Sequence, residues 1–420
     1  MREEVLHFIW ETHSYHREGW QTGNGEMVRV IDPGQLNHNQ GPDFLDAQIE
    51  VGGIVQYGHV EIHIEGEDWY RHRHDRDPHY NAVVLHVVLR RGRPIRREDG
   101  TLVPEVSLEG RIHAGLIAGS TRLSDGPSTP TCRRQLTAVP EVVKTKWLRR
   151  VAAERLEGKL LKAREKLEAA TWDWERVIWQ ELAGYLAGPI NKSAFQTLCE
   201  HLPIKVIGHY RSQPFAREAL LFGSACLLSG TPVDDYQSAL KGEWAYLSAK
   251  HRLHPAPIML RRHRMRPANS PTIRLAQLGV LIGLRTRLVE LLYPNHLTHF
   301  ADQIFETPEY WQSHYQFGKI GRKCPRQIGR SVLRSLLLNC LIPLSVLYAE
   351  VHGIRTWEQQ VRLLARQVPP ENNRFIRAFV ESGMTPEHAD DGQAFIHLYQ
   401  NYCQPKRCLQ CGFGRWMLQQ

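Results

Sequence analysis

"NQGPDFLDAQIEVGGIVQYGHVEIHIEGEDW", Asn39–Trp69, reads as two strand-like runs, Ala47–Val51 and Ile54–Ile64, joined by Gly52-Gly53. A Gly-Gly pair between alternating runs signals a hairpin, because both central residues of such a turn take positive φ. Side chains two apart on a strand share a face. Val60, Ile62 and Ile64 therefore point one way, Glu61 and His63 the other. A sheet that buries Val and Ile thus carries a carboxylate and an imidazole. Pro42-Asp43 precedes the first run, and regular pairing places Asp43 across from Ile62, on the face opposite Glu61. A bulge at Gly58 does not change that assignment. Asp43 joins Glu61 and His63 only by lying before regular pairing begins, which Gly41-Pro42 permits. Asp46 is the alternative on the polar face.

Around this hairpin the chain is punctuated as an α+β protein. Residues 3–12 have the helical spacing Val5, Leu6, Ile9, Trp10. "MVRVIDPG" reads as a strand closed by a Pro-Gly turn, "GEDWYRHRHDRDPHY" as a short helix and "NAVVLHVVLRRG" as a buried strand. The expected order is helix, three strands, helix, strand. "STRLSDGPSTPT" (Ser120–Thr131) is the best linker, and beyond it the spacing turns helical, beginning with "EVVKTKWLRRVAAERLEGKLLKAREKLEAA". The expected organisation is a mixed-sheet module over 1–118, a linker over 119–131, a mostly α-helical domain over 132–400 and a Cys-rich tail over 401–420.

At 420 residues, more than one core is expected. The 42% hydrophobic and 23% charged composition is that of a globular chain, with no run of about 18 apolar residues for a membrane helix. The opening "MREEVLHFIWETHSYH" is too polar for a signal peptide, so a cytoplasmic location is expected. A formal charge of +9, from 53 Lys+Arg against 44 Asp+Glu, favours polyanionic partners such as nucleic acid. Arginines cluster at Arg90–Glu98, Arg261–Arg266 and Lys319–Arg330. Oligomeric state is not readable.

The polar face of the hairpin has the composition of a metal site. Asp43 and Glu61 suit a hard divalent cation, Mg²⁺ or Mn²⁺, and His63 beside them is placed to orient or deprotonate water. Downstream, "DWYRHRHD" adds Asp68, His72 and His74, the two histidines as further candidate catalytic residues; if the run is helical, Asp68 and His72 share a face. The alternative is a solvated face, with Asp43 capping a turn and the histidines on an arginine-rich surface. An Asp opening one strand and Glu-x-Lys on the next resembles the PD-(D/E)xK nuclease superfamily. Here "PDF" (Pro42–Phe44) supplies the Asp, and "EIH" (Glu61–His63) stands in place of Glu-x-Lys. The resemblance implies a nuclease-like module, a divalent metal and a nucleic-acid substrate; His63 replaces the Lys point charge.

Eight cysteines in such a chain argue against a disulfide framework. Three crowd the end in "CQPKRCLQC": Cys403, Cys408 and Cys411. That spacing is one ligand short of a closed tetrahedral site, and Cys132 is the preferred fourth, with Cys324 next. Zinc and an iron–sulfur cluster are both open at these thiols. The alternative is three reduced thiols on a tail.

As a whole the chain resembles a bacterial family catalogued as a domain of unknown function, through "NQGPDF", "VEIHIEGEDWYRHRHD", "EALLFGSACLL", "SPTIRLAQL" and the terminal "CQPKRCLQCGFG". The resemblance brings no assigned activity. The expectation is a metal-dependent nuclease, or a nuclease-derived nucleic-acid binder gripping phosphates with its basic helical domain. The alternative is a non-catalytic scaffold with a structural metal site.

Overall fold

Gly52 and Gly53 adopt φ of 58° and 85°. They join β3 (Phe44–Val51) to β4 (Ile54–Glu65), with Val51 facing Ile54 and Ala47 facing Gly58. Between Ala47 and Phe44 the register slips, and Phe44 faces Val60. Asp46 lies in the slip at φ 57°, exposed and in the left-handed region that Asp tolerates better than most residues. One extra residue on β3 reverses the faces of everything before it. Asp43 therefore reaches the Glu61 side through a bulge on its own strand, a route the regular register did not offer. Gly58 serves a different purpose: a Cβ there would stand 2.4 Å from the Ala82 carbonyl oxygen.

This computed structural model describes residues 2–37, 39–125, 130–262, 265–283 and 287–420. The hairpin sits at the centre of a sheet ordered β1-β3-β4-β5-β6, with β2 also paired to β3. β1 (Val28–Asp32) and β2 (Gln35–Leu36) run antiparallel to β3. β5 (Val83–Arg90) is parallel to β4, and β6 (Glu105–Ser107) is parallel to β5. With α1 (Glu3–Glu11) before the sheet and α2 (Asp68–Arg71) between β4 and β5, the expected succession of helix, three strands, helix and strand gains two short strands, the two-residue β2 and the three-residue β6.

Both faces of this sheet are covered, which is how it buries polar residues. On one, α1 sets Leu6, Ile9 and Trp10 in a core with Phe44, Ile49, Val60, Ile62 and Val87. On the other, Trp69, Tyr80, Val83, Ile95 and Val103 form a smaller cluster. Glu61, His63 and His86 are buried as well.

Chain contacts divide the molecule into two units, Met1–Trp147 with Arg377–Thr385 and Ile396–Gln420, and Leu148–Ile376 with Pro386–Phe395. Part of the stretch read as linker is helix: α3 spans Ala114–Asp125, held by buried Leu116 and Leu123, while residues 126–129 lie outside the described residues. Two apolar anchors at helical spacing outweigh the Ser/Thr composition. The second unit is helical apart from the small hairpin His314–Gln316/Lys319–Ile320, around a core that includes Trp179, Phe195, Phe222 and Trp311. Among the described residues one helical run, Arg330–Val351 in this unit, is long and apolar enough by length and composition to cross a membrane, where the sequence led us to expect none. Of its apolar window, 72% is buried within the structure.

Candidate metal centre

β4 delivers Glu61 and His63, and the loop after α2 delivers His72 and His74. Arg73, between the two histidines, takes φ 65°, so the chain reverses there and both rings turn back to the sheet. One nitrogen each from His63, His72 and His74 lies within 4.8 Å of the other two, a spacing that can hold a metal ion. His63 Nε2 stands 3.2 Å from His72 Nδ1. Glu61 Oε1 lies 3.4 Å from His63 Nε2 and 3.2 Å from His74 Nε2. The latter approach lacks hydrogen-bond geometry, and His74 Nε2 is buried without a hydrogen-bond partner. An orphaned ring nitrogen beside two other imidazoles and a carboxylate oxygen fits a cation well.

A second layer fixes the rings. His63 Nδ1 lies 2.8 Å from His86 Nε2, and His86 Nδ1 lies 3.0 Å from Glu105 Oε2. The tautomers follow from the Glu105 carboxylate, which only accepts. His86 Nδ1–H donates to it, the bare His86 Nε2 accepts from His63 Nδ1–H, and the lone pair on His63 Nε2 faces the cluster. Burial lowers the pKa of His86 and, helped by the neighbouring imidazoles, pushes that of His63 down to about 2, so both are neutral. Around them, Tyr80 stacks on His74 at 3.8 Å and Trp69 packs edge-on against His74 and His86. His63 is 1% exposed and His74 8%, whereas His72 is exposed. The cluster thus has two walled sides and one open to solvent.

Asp43 is tied to Glu61 in both directions. Its backbone N–H donates to Glu61 Oε2 at 3.0 Å, and its Oδ2 accepts from the Ile62 N–H at 2.9 Å. His7, from α1, places Nε2 3.2 Å from the same Oδ2. Burial raises the Glu61 pKa, and the Asp43 charge raises it further. Burial opposes charge on His7, but the Asp43 carboxylate outweighs it and holds the ring above its ordinary pKa. The sheet end therefore carries a carboxyl that resists ionisation and an imidazole that favours protonation.

Other residues read from the sequence are placed elsewhere. Asp68 accepts from the Glu65 N–H and pairs with Arg71, and the backbone N–H of Asp46 donates to His59 Nδ1 at 3.3 Å. In the first arginine cluster, Arg90 pairs with Glu65 and Arg97 donates to the Val83 carbonyl. Arg261 and Arg262 are exposed; Arg264 lies outside the described residues. Cys132, Cys403, Cys408 and Cys411 line one cavity.

Three participants were not picked out in the sequence. His86 carried a readable signal, a lone polar residue in the apolar run "VVLHVVL" that must find a buried partner. His7 shares α1 with the apolar face, and Glu105 stands in a three-residue strand. Neither has a spacing that distinguishes it.

No curated protein and no solved structure matches the chain. The family described as "Protein of unknown function (DUF2851)" matches residues 3–374, ending ahead of the three terminal cysteines. That span takes in the hairpin, the histidine cluster and its relay, and on it the chain belongs to the DUF2851 family.

Proposed function

We infer that the N-terminal unit is a metal-dependent hydrolase of nucleic-acid phosphodiesters. The observation that carries this reading is the convergence of His63, His72 and His74 nitrogens within 4.8 Å, with Glu61 Oε1 alongside and one side open. Structural metal sites are closed by four protein ligands, whereas catalytic ones keep a position for water or substrate. An imidazole-rich donor set suits Zn²⁺, Mn²⁺ or Fe²⁺ better than Mg²⁺. A bound divalent ion supplies Lewis acidity and a more acidic water.

The chain's own residues supply the rest. His63, His72 and His74 hold the ion, with the His86–Glu105 relay orienting His63. Glu61, ionised by the charge of a bound ion, is placed to ligate it, and the raised pKa of His7 suits it to give a proton to a departing oxygen. Arg71 and Arg73, both exposed, flank His72 at the open side, where a phosphate backbone would be gripped. Antiparallel strands followed by parallel ones, with Asp43 immediately before β3 and Glu61 on the neighbouring β4, support the likeness to PD-(D/E)xK nucleases.

The test is incubation of the full chain with supercoiled DNA, and separately with RNA, under Mn²⁺, Zn²⁺, Mg²⁺ or chelator. Metal-dependent cleavage is expected, strongest with the transition metals and lost in His74→Ala, whose melting curve shows it folded. No cleavage with any of the metals, together with no metal binding at His63, His72 and His74, overturns the reading.

A further inference from the structure

Far from the hairpin in sequence, Cys132 meets the C-terminal thiols. Cys132, Cys403, Cys408 and Cys411 line a single cavity with Leu123, Thr131, Tyr402 and Gly414, all within the first unit. Cys408 and Cys411 are buried, 8% and 6% exposed. Cys408, Leu409, Gln410 and Cys411 form a tight turn leading into the helix Gly412–Leu418. The turn leaves no room for side chains at its glycines. A Cβ on Gly414 would stand 2.1 Å from the Cys408 carbonyl oxygen, and one on Gly412 would strike the Trp147 ring at 2.6 Å.

We propose that Cys132, Cys403, Cys408 and Cys411 together hold a thiophilic metal centre, a zinc ion or an iron–sulfur cluster. Four cysteines satisfy either, and both require the thiols to be ionised, releasing protons to solvent as the centre forms. Size and spacing point in opposite directions. The cavity, about 10 Å³, has room for one small body and suits a single ion. Among the described residues, however, the 4.8 Å mutual spacing is met by the histidine trio and not by three of these thiols. Zinc–sulfur bonds near 2.3 Å bring sulfurs to roughly 3.8 Å, so the wider spacing suits a cluster. The Cys408 thiol donates to the Leu123 carbonyl oxygen at 3.2 Å. The centre would staple residues 123–132 to the chain's end, which makes it structural and separate from the histidine site.

The experiment is elemental and sulfide analysis of the full chain purified without oxygen. Either one zinc per chain, or iron with acid-labile sulfide and a brown colour, supports the proposal. Measured in the His74→Ala chain, which lacks the histidine site, that content should persist when Cys226→Ser is added, whose thiol is exposed, and fall at least several-fold when Cys132→Ser is added. Alkylation of the wild-type chain keeps the test independent of how that variant folds. All four thiols should resist iodoacetamide until a chelator is added, while Cys226 is labelled throughout. Neither metal in the purified chain, or labelling of the four thiols unchanged by chelation, overturns it.

Discussion

His63 Nδ1 stands 2.8 Å from His86 Nε2, and this contact decides which nitrogen of His63 faces the cluster. Without its acceptor, the buried His63 Nδ1–H is unsatisfied and the ring is free to change tautomer. Outer-layer partners of metal-binding histidines typically contribute 10–100-fold in affinity. His86→Phe, which keeps an aromatic ring but removes the acceptor nitrogen, should therefore weaken metal binding by about that factor. It should also cost roughly 1–3 kcal/mol of stability for the orphaned donor. Calorimetric titration and denaturant unfolding of the variant check both. An unchanged dissociation constant would remove the relay from the site's design.

The bulge at Asp46 can be tested through its backbone. Left-handed φ costs a side chain with a branched β-carbon roughly 1–2 kcal/mol, and a glycine nothing. Asp46→Gly should be neutral or slightly stabilising. Asp46→Val should lose about 1–2 kcal/mol, and because it strains the turn that sets Asp43 beside Glu61, it should weaken metal binding too. Equal stability of the two variants would show that φ 57° at this position is not what the strand requires.

The helical unit has a pH-dependent element at Glu218, 2% exposed. Burial raises its pKa to about 7, against the pull of hydrogen bonds from Tyr236 O–H and Trp311 Nε1–H. Between about 4.5 and 7, the folded chain keeps a proton that the unfolded chain gives up. Its contribution to stability is therefore fully present below about 4.5 and is lost as pH rises through 7, on the order of 3 kcal/mol in all. Glu218→Gln removes the titration, so its melting temperature should rise relative to wild type as pH goes from 4.5 to 8. A difference between the two that does not vary with pH contradicts this assignment.

The hairpin shows where sequence reading succeeds and where it stops. Alternation and the Gly-Gly turn place Glu61 and His63 on one face, since those patterns are local and periodic. The position of Asp43 depends on a single-residue slip at Asp46, for which an Asp within a strand run is a weak signal: it tolerates the left-handed conformation of a bulge, but it does not fix where the register slips. His72 and His74 were recognisable as metal-binding types, but their convergence needed the reversal at Arg73. The Ser/Thr/Pro/Gly content of 120–131 hid a helix anchored by Leu116 and Leu123. That Cys132 shares a cavity with the terminal thiols follows an expectation drawn from chemistry, the need of a closed thiolate site for a fourth sulfur, and not from register.

Nucleic-acid contact at the open side of the histidine cluster gives the last prediction. Each phosphate neutralised on a duplex contributes about −0.9 to the slope of log K against log salt. Arg71 and Arg73 are exposed on either side of His72, and Arg71 pairs through Nη1 with Asp68 at 2.8 Å. Replacing both should reduce the magnitude of the slope by up to about 1.8, with affinity falling across all sequences alike. The replacements need care: Arg73 holds φ 65°, so Asn, which tolerates that conformation, is the suitable choice there, with Gln at 71. Binding is measured in chelator, which separates contact from cleavage. The double variant Arg261→Gln/Arg262→Gln, on the second unit, is the comparison. A slope that falls only in that variant assigns the phosphate contacts to the helical unit, and a slope that falls in neither removes these four arginines from the nucleic-acid contact.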